Sequence, residues 1–410
     1  MSSAVSCDVI VVGGGPAGAT TAWSLARSGL SVIVLDRAQF PRPKPCAEYV
    51  SPEASRILGA MNVLTAAHRA GAASLDGMRV RAPDGTELIG EFGAARERQG
   101  LHTRGIALRR ELLDPLLLNA ARDARANIRE GNRVVDLIRD ARGRVSGVEL
   151  FNGAQLRSRL VVGADGLRSV VARRLGVGVH ARWPRRVAFV THYAGVAGMG
   201  PHGEMHVERD GYVGLAPVDS GLVNVAAVVP TEYARAAASA PAEFVANWIR
   251  RRPHLAARFS SATQRTPVRG TGPFGWRTRR AWAPGAALVG DAADFFDPFT
   301  GEGIFAALRG AELLTPYVHA ALATTDPRAE REAFEAYDRA RQHAFGGKWM
   351  LERLVGMAVS WAPFMNRAAR GLARRRDLAD TFVGVTGDIV PARAVLRPAY
   401  ALALAHAAFS

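Results

Sequence analysis

The sequence predicts an α/β fold, α+β overall, that begins with a Rossmann-like nucleotide-binding unit. Residues 8–12 form a short apolar, β-branched run of the kind found in buried parallel strands. Gly13-x-Gly15-x-x-Gly18 and an alanine-rich helical segment follow, and a second apolar run ends at Asp36. A glycine motif between a strand and a helix, with an acid closing the next strand, is a specific signal for a dinucleotide.

Each residue of this motif has a physical role in binding a pyrophosphate. Gly13 allows a tight turn, Gly15 lets the backbone approach the phosphates, and Gly18 brings the helix close to the sheet. The helix N-terminus offers free N–H groups, and Asp36 can accept hydrogen bonds from ribose hydroxyls. The cofactor-binding residues predicted in this segment are Gly13, Gly15, Pro16, Ala17, Gly18, Asp36 and Arg37.

Composition describes a chain with ample apolar core and no nucleic-acid signature. Of its 410 residues 48% are hydrophobic, which allows two interlocked domains. The net charge is +16, but only Lys44 and Lys348 are lysines, and the arginines are scattered rather than gathered in basic tracts with interleaved aromatics. Nucleic acid is therefore not an expected partner.

Cysteine content and hydropathy indicate the cellular compartment in which the protein is expected. Cys7 and Cys46 cannot form a redox pair of the CxxC type, and no metal site is predicted. We see no signal peptide and no run of 18 uncharged apolar residues. A cytoplasmic protein is expected.

Periodicity and turn residues predict the remaining elements. In chain order they are a helix from Ser51-Pro52, a hairpin at 78–92, a helix at 109–127, a hairpin at 134–150 continued by a strand at 158–162, a helix from Ser169, strands at 187–194, 206–207, 212–217 and 222–229, a helix at 240–251, a strand at 286–290, a helix at 303–323, and helices from 330 divided by Pro363, Pro391 and Pro398.

Two further glycine–acid motifs complete the pattern. Asp165 lies in a GADG sequence at 163–166, and Gly290-Asp291 precedes a GEG sequence at 301–303 that opens a helix. Together with the first motif, and in this order, they resemble the class A flavoprotein monooxygenase superfamily over about the first 340 residues. That superfamily shares its FAD fold with flavin-dependent halogenases and geranylgeranyl reductases.

The resemblance implies a glutathione-reductase-type FAD domain interleaved with an antiparallel-sheet substrate domain, followed by a helical C-terminus. The implied division is 1–75, 101–180 and 276–340 for the FAD domain, 76–100 for a hairpin of the substrate domain, 181–275 for its sheet, and 341–410 for a helical cap. NADH or NADPH would supply electrons, or a reductase partner would do so.

The resemblance also implies roles for individual residues. Asp291 would lie beside the ribityl and pyrophosphate groups, residues 301–303 would direct N–H groups at the flavin, Asp165 would act indirectly, and Arg110 would reach the phosphates. The residues it adds to the predicted FAD site are Arg110, Asp165, Gly290, Asp291, Pro298, Gly301, Glu302 and Gly303.

The geranylgeranyl-reductase branch is the most similar, with two departures. The loop at 40–46 resembles that family's KxCGG loop, but Ala47 and Glu48 replace its glycines. The segment at 211–217 resembles GYxWxFP, but Gly214 and Ala216 replace the bulky residues. We therefore expect an enlarged pocket for a lipophilic substrate. The predicted pocket residues are Tyr49, Gly214, Ala216 and Pro217, and the catalytic candidates are Cys46 and Tyr212.

The sequence favours an FAD-dependent oxidoreductase, with three functions open. The departures from the reductase loop and aromatic motif favour the first, a monooxygenase that hydroxylates or epoxidises a lipophilic or polyketide-like molecule through a flavin C4a-hydroperoxide. The second is a reductase of C=C bonds in a prenyl or lipid substrate, with Cys46 or Tyr212 as proton donor. The third is a non-catalytic FAD-binding protein, whose cavity would be filled by side chains. A halogenase is disfavoured because neither lysine lies in mid-chain.

The C-terminal segment has two interpretations. Apolar residues from Met350 to Phe364 recur at helical spacing, and a basic block follows at 370–376. The segment is either a packed cap over the substrate cavity or a surface that rests on anionic membrane. The second interpretation would make the protein peripheral at the inner membrane face.

Overall fold

The computed structural model describes residues 6–93, 103–180 and 185–409. Residues 94–102 and 181–184 lie outside the described ranges, so the predicted divisions at 100/101 and 180/181 fall on or beside residues without a description. Within the described ranges the fold is the expected mixed α/β architecture with a helical C-terminus.

Strands and short helices intermingle up to residue 300, and helices form nearly all of the chain after it. The strands are β1 (Cys7–Val12), β2 (Val32–Leu35), β3 (Tyr49–Val50), β4 (Ala73–Leu75), β5 (Gly77–Arg81), β6 (Glu87–Glu91), β7 (Gly105–Ala107), β8 (Asn127–Arg129), β9 (Val134–Arg139), β10 (Val145–Leu150), β11 (Gln155–Gly163), β12 (Gly178–His180), β13 (Arg186–Ala194), β14 (His202–Glu208), β15 (Gly211–Pro217), β16 (Leu222–Pro230), β17 (Thr263–Gln264), β18 (Arg269–Thr271), β19 (Trp276–Thr278), β20 (Trp282–Ala283), β21 (Ala286–Leu288) and β22 (Asp294–Phe295). The helices are α1 (Pro16–Arg27), α2 (Pro52–Ala60), α3 (Val63–Arg69), α4 (Arg110–Asp123), α5 (Val170–Leu175), α6 (Ala234–Ser239), α7 (Pro241–Arg250), α8 (Pro253–Arg258), α9 (Gly303–Leu322), α10 (Pro327–Ser360), α11 (Ala362–Arg374), α12 (Arg376–Thr386), α13 (Arg393–Leu396) and α14 (Pro398–Phe409).

The first sheet brings the three glycine–acid motifs to one edge. Its parallel strands run in the order β21-β11-β1-β2-β8. Val12 pairs with both Leu35 and Gly163, and Gly163 pairs with Leu288, so these residues form one row across four strands. Each motif begins in this row or within two residues of it. The carboxyl ends of parallel strands are where α/β sheets bind ligands.

The second sheet runs in the order β17-β13-β16-β15-β14-β5-β6, with β18 also on β13. It is antiparallel as expected, except that β5 pairs with β14 in parallel because the two strands are far apart in sequence and no hairpin joins them. One row across its middle consists of His192, Asn224 and Ala216. These side chains share one face of the sheet.

Three predicted boundaries are corrected. The helix predicted at 109–127 ends at Asp123, and Asn127 opens β8. The strand predicted at 206–207 extends from His202 to Glu208, because polar residues alternate with the apolar ones there. The strand predicted at 286–290 ends at Leu288, since Gly290 has φ +61 and starts a 3-10 turn.

The C-terminal helices cover the second sheet. Leu351, Val355 and Val359 on one side of α10 join a hydrophobic cluster with Met205 and Tyr212 of that sheet. Helices α11 and α14 each begin at or beside a proline, as the sequence predicted. No helix in the described part of the chain is long and apolar enough to cross a membrane.

A charged cluster lies where α8 meets β14. The Glu204 carboxylate bonds His206 Nε2 at 2.8 Å and accepts from Arg258 Nη2 at 3.0 Å. Burial raises the pKa of Glu204, but these bonds outweigh burial and hold that pKa at about 2. The His254 ring stacks on His206 with centroids 5.3 Å apart. Burial and the nearby Arg81 lower the pKa of His254 to about 4.

We expect His254→Gln to reduce the loss of stability between pH 6.5 and pH 4. The unfolded chain binds a proton at its ordinary histidine pKa near 6.5, whereas the folded protein binds it only near pH 4, so acidification across this window favours unfolding. Because the ring is partly exposed, the effect should be about 1–2 kcal/mol. Urea unfolding at both pH values measures it, with exposed His68→Gln as control. An equal loss of stability in His254→Gln and the native protein would contradict the expectation.

Candidate functional site

The first glycine motif forms a tight turn that only glycine can occupy at two positions. Gly13 has φ +105, and a Cβ there would lie 2.5 Å from the Ala164 carbonyl oxygen. A Cβ on Gly18 would lie 1.8 Å from the Gly13 carbonyl oxygen. The turn therefore packs against both β11 and its own helix, in agreement with the roles predicted for these glycines.

Gly15 differs from these two glycines because a Cβ there would make only ordinary van der Waals contacts. A Cβ there would be 3.6 Å from the guanidinium Nη2 atoms of both Arg110 and Arg42. No side chain caps α1, so its first N–H groups point into the same space. Arg42 Nη1 is buried and has no hydrogen-bond partner among the described residues. This positively charged cradle fits a pyrophosphate.

Arg110 is held in place by an acid one helical turn further on. Its Nε and Nη2 donate to Asp114 at 2.6 and 2.9 Å, and Arg42 Nη2 lies 3.3 Å from the same carboxylate. Burial lowers the pKa of Arg110, but the Asp114 carboxylate outweighs burial and raises this pKa. The guanidinium therefore remains charged beside Gly15, where the sequence predicted a phosphate-binding arginine.

Asp36 has a structural task that the sequence did not reveal. Its Oδ2 accepts the Gly14 N–H at 2.7 Å, and its Oδ1 accepts the Ala38 N–H at 2.8 Å. A carboxylate has about four acceptor sites, so both oxygens retain one for a ribose hydroxyl. Arg37 is exposed just beyond it.

Asp165 directs its carboxylate to its own helix. Ser169 Oγ donates to one oxygen and the Val170 N–H to the other, both at 2.5 Å, at the start of α5. Its Cα lies against Gly13, at 2.9 Å from the position of a Cβ there. Asp165 therefore supports the glycine turn, which is consistent with the predicted indirect role.

Asp291 comes to the same cradle from the third motif. The preceding Gly290 packs on α1 so closely that its Cβ would be 2.8 Å from that of Ala17. Burial raises the pKa of Asp291 to about 6, and the charges of Lys44 and Arg110 oppose the rise. Asp291 follows β21, Arg42 and Lys44 lie in the loop after β2, and Arg110 opens α4, so separate segments bring these four charged residues to the N-terminus of α1.

The GEG sequence forms the second half of the site. Asp297 Oδ1 accepts the Phe299 N–H at 3.1 Å and caps the 3-10 turn Pro298–Thr300. Gly301 follows with φ +73, and a Cβ there would lie 2.7 Å from Tyr49 Cδ1. Helix α9 begins at Gly303 without a side-chain cap, so its first N–H groups remain available to an anion.

Behind Glu302 lies a buried ionic group that the sequence did not predict. Lys348 Nζ, from α10, is 3.7 Å from Glu302 Oε2 and also contacts Asp388. Burial raises the pKa of Glu302 and lowers that of Lys348, while each charge counteracts the shift of the other. Only the folded chain shows this pairing, because the two residues are 46 positions apart.

The two catalytic candidates lie outside the cavity lining. The Tyr212 hydroxyl donates to Asp297 Oδ1 at 2.6 Å, and Arg186 Nη1 donates to the other oxygen at 2.5 Å. Tyr212 therefore supports the turn that precedes Gly301. Cys46 Sγ accepts the Glu48 N–H at 3.3 Å, and burial raises its thiol pKa.

A cavity of about 40 Å³ lies between the second sheet and the turn at Gly301. Its lining includes the predicted pocket residues Tyr49, Gly214 and Ala216, whereas Pro217 lies beyond the lining at the end of β15. The expected enlargement at Gly214 is partly offset, because Met205 Sδ lies 3.1 Å from where a Cβ would be. Methionine adapts its shape readily, so this wall can accommodate varied apolar ligands.

Tyr49 combines three properties, of which it shares only the unpaired hydroxyl with another lining residue, Thr300. Its ring lines the cavity and stacks on Phe92 with centroids 6.0 Å apart. Its hydroxyl is buried and has no hydrogen-bond partner among the described residues. Burial and, to a smaller extent, the charge of Glu302 raise the pKa of Tyr49 well above its ordinary value. The hydroxyl therefore keeps its proton.

Glu48 connects the second sheet to the loop in which Ala47 and Glu48 stand in place of two glycines. It adopts φ +62, a conformation that favours glycine. Its carboxylate accepts the Arg110 N–H at 3.0 Å and Asn224 Nδ2 at 2.9 Å, and it bonds His192 Nε2 at 2.7 Å. Asn224 also donates to the Cys46 carbonyl oxygen at 2.9 Å. These bonds fix the loop over the cavity and compensate for the strained backbone.

The residues present fit an FAD molecule. An open cradle beside two guanidinium groups and an uncapped helix suits the pyrophosphate, and a second uncapped helix start at Gly303 suits the anionic edge of a flavin. The described ranges contain no cluster of His, Cys, Asp and Glu side chains that could hold a metal ion.

Comparison with known proteins agrees with this geometry. The FAD binding domain family matches residues 6–347. The menaquinone reductase of Mycolicibacterium smegmatis is 32% identical over 327 residues, which cover 75% of this chain and 76% of the relative. The digeranylgeranylglycerophospholipid reductase of Methanothrix thermoacetophila is 28% identical over 352 residues, which cover 83% and 84%.

Solved structures share the fold at lower identity. The flavin-dependent brominase Bmp2 superposes with a TM-score of 0.82 at 21% identity, covering 97% of this chain and 98% of its own. PqsL of Pseudomonas aeruginosa superposes with a TM-score of 0.73 at 24% identity, covering 87% and 98%. At these identities the likeness concerns the fold alone.

Proposed function

The chain belongs to the FAD binding domain family and is an FAD-dependent oxidoreductase; from that membership we propose that it reduces C=C bonds in a lipophilic, isoprenoid-like substrate. The relatives named above are reductases, and one of their names specifies a geranylgeranyl lipid. The methionine-lined apolar cavity supports a substrate of this kind.

The observation that carries the proposal is the unpaired hydroxyl of Tyr49. Saturating a C=C bond takes a hydride on one carbon and a proton on the other. A buried hydroxyl without a protein partner is costly, by about 1–3 kcal/mol. Its position in the cavity wall next to Gly301 gives it a use, because it can donate its proton to a bound substrate.

In this mechanism the chain's residues position the reactants and hold the proton. Gly15, Arg42, Arg110 and Asp291 would hold the pyrophosphate region, and the N–H groups at the start of α9 would stabilise negative charge on the flavin. Bound FAD, once reduced, supplies the hydride. Tyr49 holds the proton on its hydroxyl and gives it to the second carbon.

The proton source for Tyr49 lies behind it. The carboxyl group of Glu302 interacts electrostatically with Tyr49 and lies 3.7 Å from Lys348 Nζ. We propose that this pair returns a proton to the Tyr49 oxygen after each turnover. The hydroxyl of Tyr212, in contrast, is already bonded to Asp297 and has no such role.

Product analysis tests the proposal. The holoenzyme would be reduced anaerobically with NADPH, NADH or dithionite and offered a geranylgeranyl lipid or a menaquinone. We expect each reduced bond to gain two hydrogens, and in D2O the product should carry deuterium at the carbon that Tyr49 protonates. A product that instead gains one oxygen, and forms only in air, would contradict the reductase and indicate a monooxygenase.

Two predicted alternatives remain for comparison. Monooxygenation rests on the lost glycines at 47–48 and on Gly214 and Ala216, which depart from the reductase pattern. A non-catalytic FAD-binding protein would fill its cavity with side chains. An FAD that neither NADH nor NADPH reduces, with dithionite giving no product, would favour the non-catalytic alternative.

A further inference from the structure

The outer side of α10 and the start of α11 expose a row of large apolar side chains, here called the apolar stripe. Its three members in α10 recur every three or four residues and share one face of that helix, and the other two lie where α10 ends and α11 begins. Its members are Met350, Leu354, Met357, Trp361 and Phe364, which are 53, 44, 45, 61 and 49% exposed. The rings of Trp361 and Phe364 stack with centroids 6.0 Å apart. A continuous exposed patch of this kind marks an interaction surface.

The buried side of the same helix leads to the substrate cavity. Leu351 and Val355 belong to one hydrophobic cluster with Met205 and Phe299, and the latter two line the cavity. Helices pack at about 8–10 Å between axes, so the apolar stripe lies about one helix diameter from the cavity wall. A lipid held at the apolar stripe would therefore be close to the proposed site of reduction.

The charges around the apolar stripe favour an anionic surface. Between 349 and 376 the only acidic residue is Glu352, which is not exposed, and the arginines number six. Arg370 and Arg376 reach acids of the β5–β6 hairpin. Arg353 and Arg367 are exposed, contact aromatic rings and pair with no carboxylate among the described residues.

We propose that the apolar stripe rests on an anionic lipid bilayer. Tryptophan and phenylalanine insert at the level of the headgroups, and flanking arginines bind anionic lipids, which is the arrangement of interfacial amphipathic helices. No described helix spans a membrane, so the contact is peripheral. The proposal concerns binding, and it holds whether the enzyme reduces or oxygenates its lipid.

Vesicle sedimentation of the FAD-loaded protein tests the proposal. The vesicles would contain phosphatidylcholine alone or with 30% phosphatidylglycerol, in the same buffer. We expect binding to the anionic vesicles, and a loss of about tenfold or more in the double variant Trp361→Ser/Phe364→Ser. The matched control is Phe151→Ser, because Phe151 is 72% exposed on the hairpin of β10 and β11. Melting temperatures confirm that each variant is folded.

Further measurements distinguish a lipid bilayer from a second copy of the chain as the partner of the apolar stripe. Lipids brominated in their acyl chains should quench tryptophan fluorescence in the native protein and less in Trp361→Phe. Arg353→Gln/Arg367→Gln should weaken binding to anionic vesicles at low salt by about tenfold. Equal vesicle binding by the double variant and the native protein would overturn the proposal. So would a native dimer, seen by sedimentation velocity, that the double variant loses, because the apolar stripe would then contact a second copy.

Discussion

Gly15→Ala is expected to fold normally and lose its FAD. The added Cβ has room in the protein itself, since its nearest neighbours are guanidinium nitrogens at 3.6 Å. It would, however, occupy the space through which the backbone N–H groups of α1 reach a pyrophosphate. Losing several charge-assisted hydrogen bonds costs a few kcal/mol, so we expect about a 100-fold weaker affinity for FAD. Fluorescence titration of the apo-protein measures it, and its melting temperature should be unchanged.

Two other glycine substitutions serve as comparisons for this prediction. Gly59→Ala is the matched control, because a Cβ there meets nothing within 4 Å, and its FAD affinity should equal that of the native protein. Gly18→Ala should fail to fold, since its Cβ would overlap the Gly13 carbonyl oxygen at 1.8 Å. If Gly15→Ala kept its affinity, or lost it only together with its stability, the pyrophosphate would not bind at this cradle.

The nucleotide half of the site could be predicted from the sequence because it depends on local geometry. Each motif follows a strand directly, and parallel pairing aligns Leu35, Val12, Gly163 and Leu288 in one row. The order of motifs therefore already determines that Asp36, Gly13, Asp165 and Gly290 meet at one edge. The hydrogen bonds of each carboxylate could not be predicted from the motifs alone. Asp36 accepts the Gly14 N–H, and Asp165 accepts the Val170 N–H.

The substrate half could not be predicted to the same depth because distant segments build it. The sequence indicated space beside Gly214, but the side chain that enters it, Met205, comes from the neighbouring strand. The partner of Tyr212, Asp297, is 85 positions away. Glu48 occurs where related proteins have glycine, and only the folded chain brings His192 and Asn224 to its carboxylate. Pairings of this range leave no periodic signal in a sequence.

Tyr49→Phe should raise the stability of the protein and lower its turnover. The substitution keeps the ring that stacks on Phe92 and removes a buried hydroxyl that has no partner among the described residues. Because such a hydroxyl is destabilising, the apo-protein should gain about 1 kcal/mol in urea unfolding. Loss of a general acid typically costs a factor of 10² to 10⁴, so we expect reduction of the C=C bond to slow about 100-fold. The FAD content should not change.

The loss of turnover is what distinguishes a proton donor from a packing residue. A tyrosine that only fills space would keep its turnover on becoming phenylalanine, whatever the change in stability. Tyr193→Phe provides the control, because Tyr193, in β13 of the second sheet, packs against Phe259 in a hydrophobic cluster outside the cavity lining. The solvent deuterium isotope effect on product formation should also change in Tyr49→Phe, since the proton would then come from another source. Native turnover in Tyr49→Phe would remove Tyr49 from the mechanism, and the proton would have to reach the substrate from solvent. A protein that retains a destabilising hydroxyl in its cavity wall is best explained by chemistry at that hydroxyl.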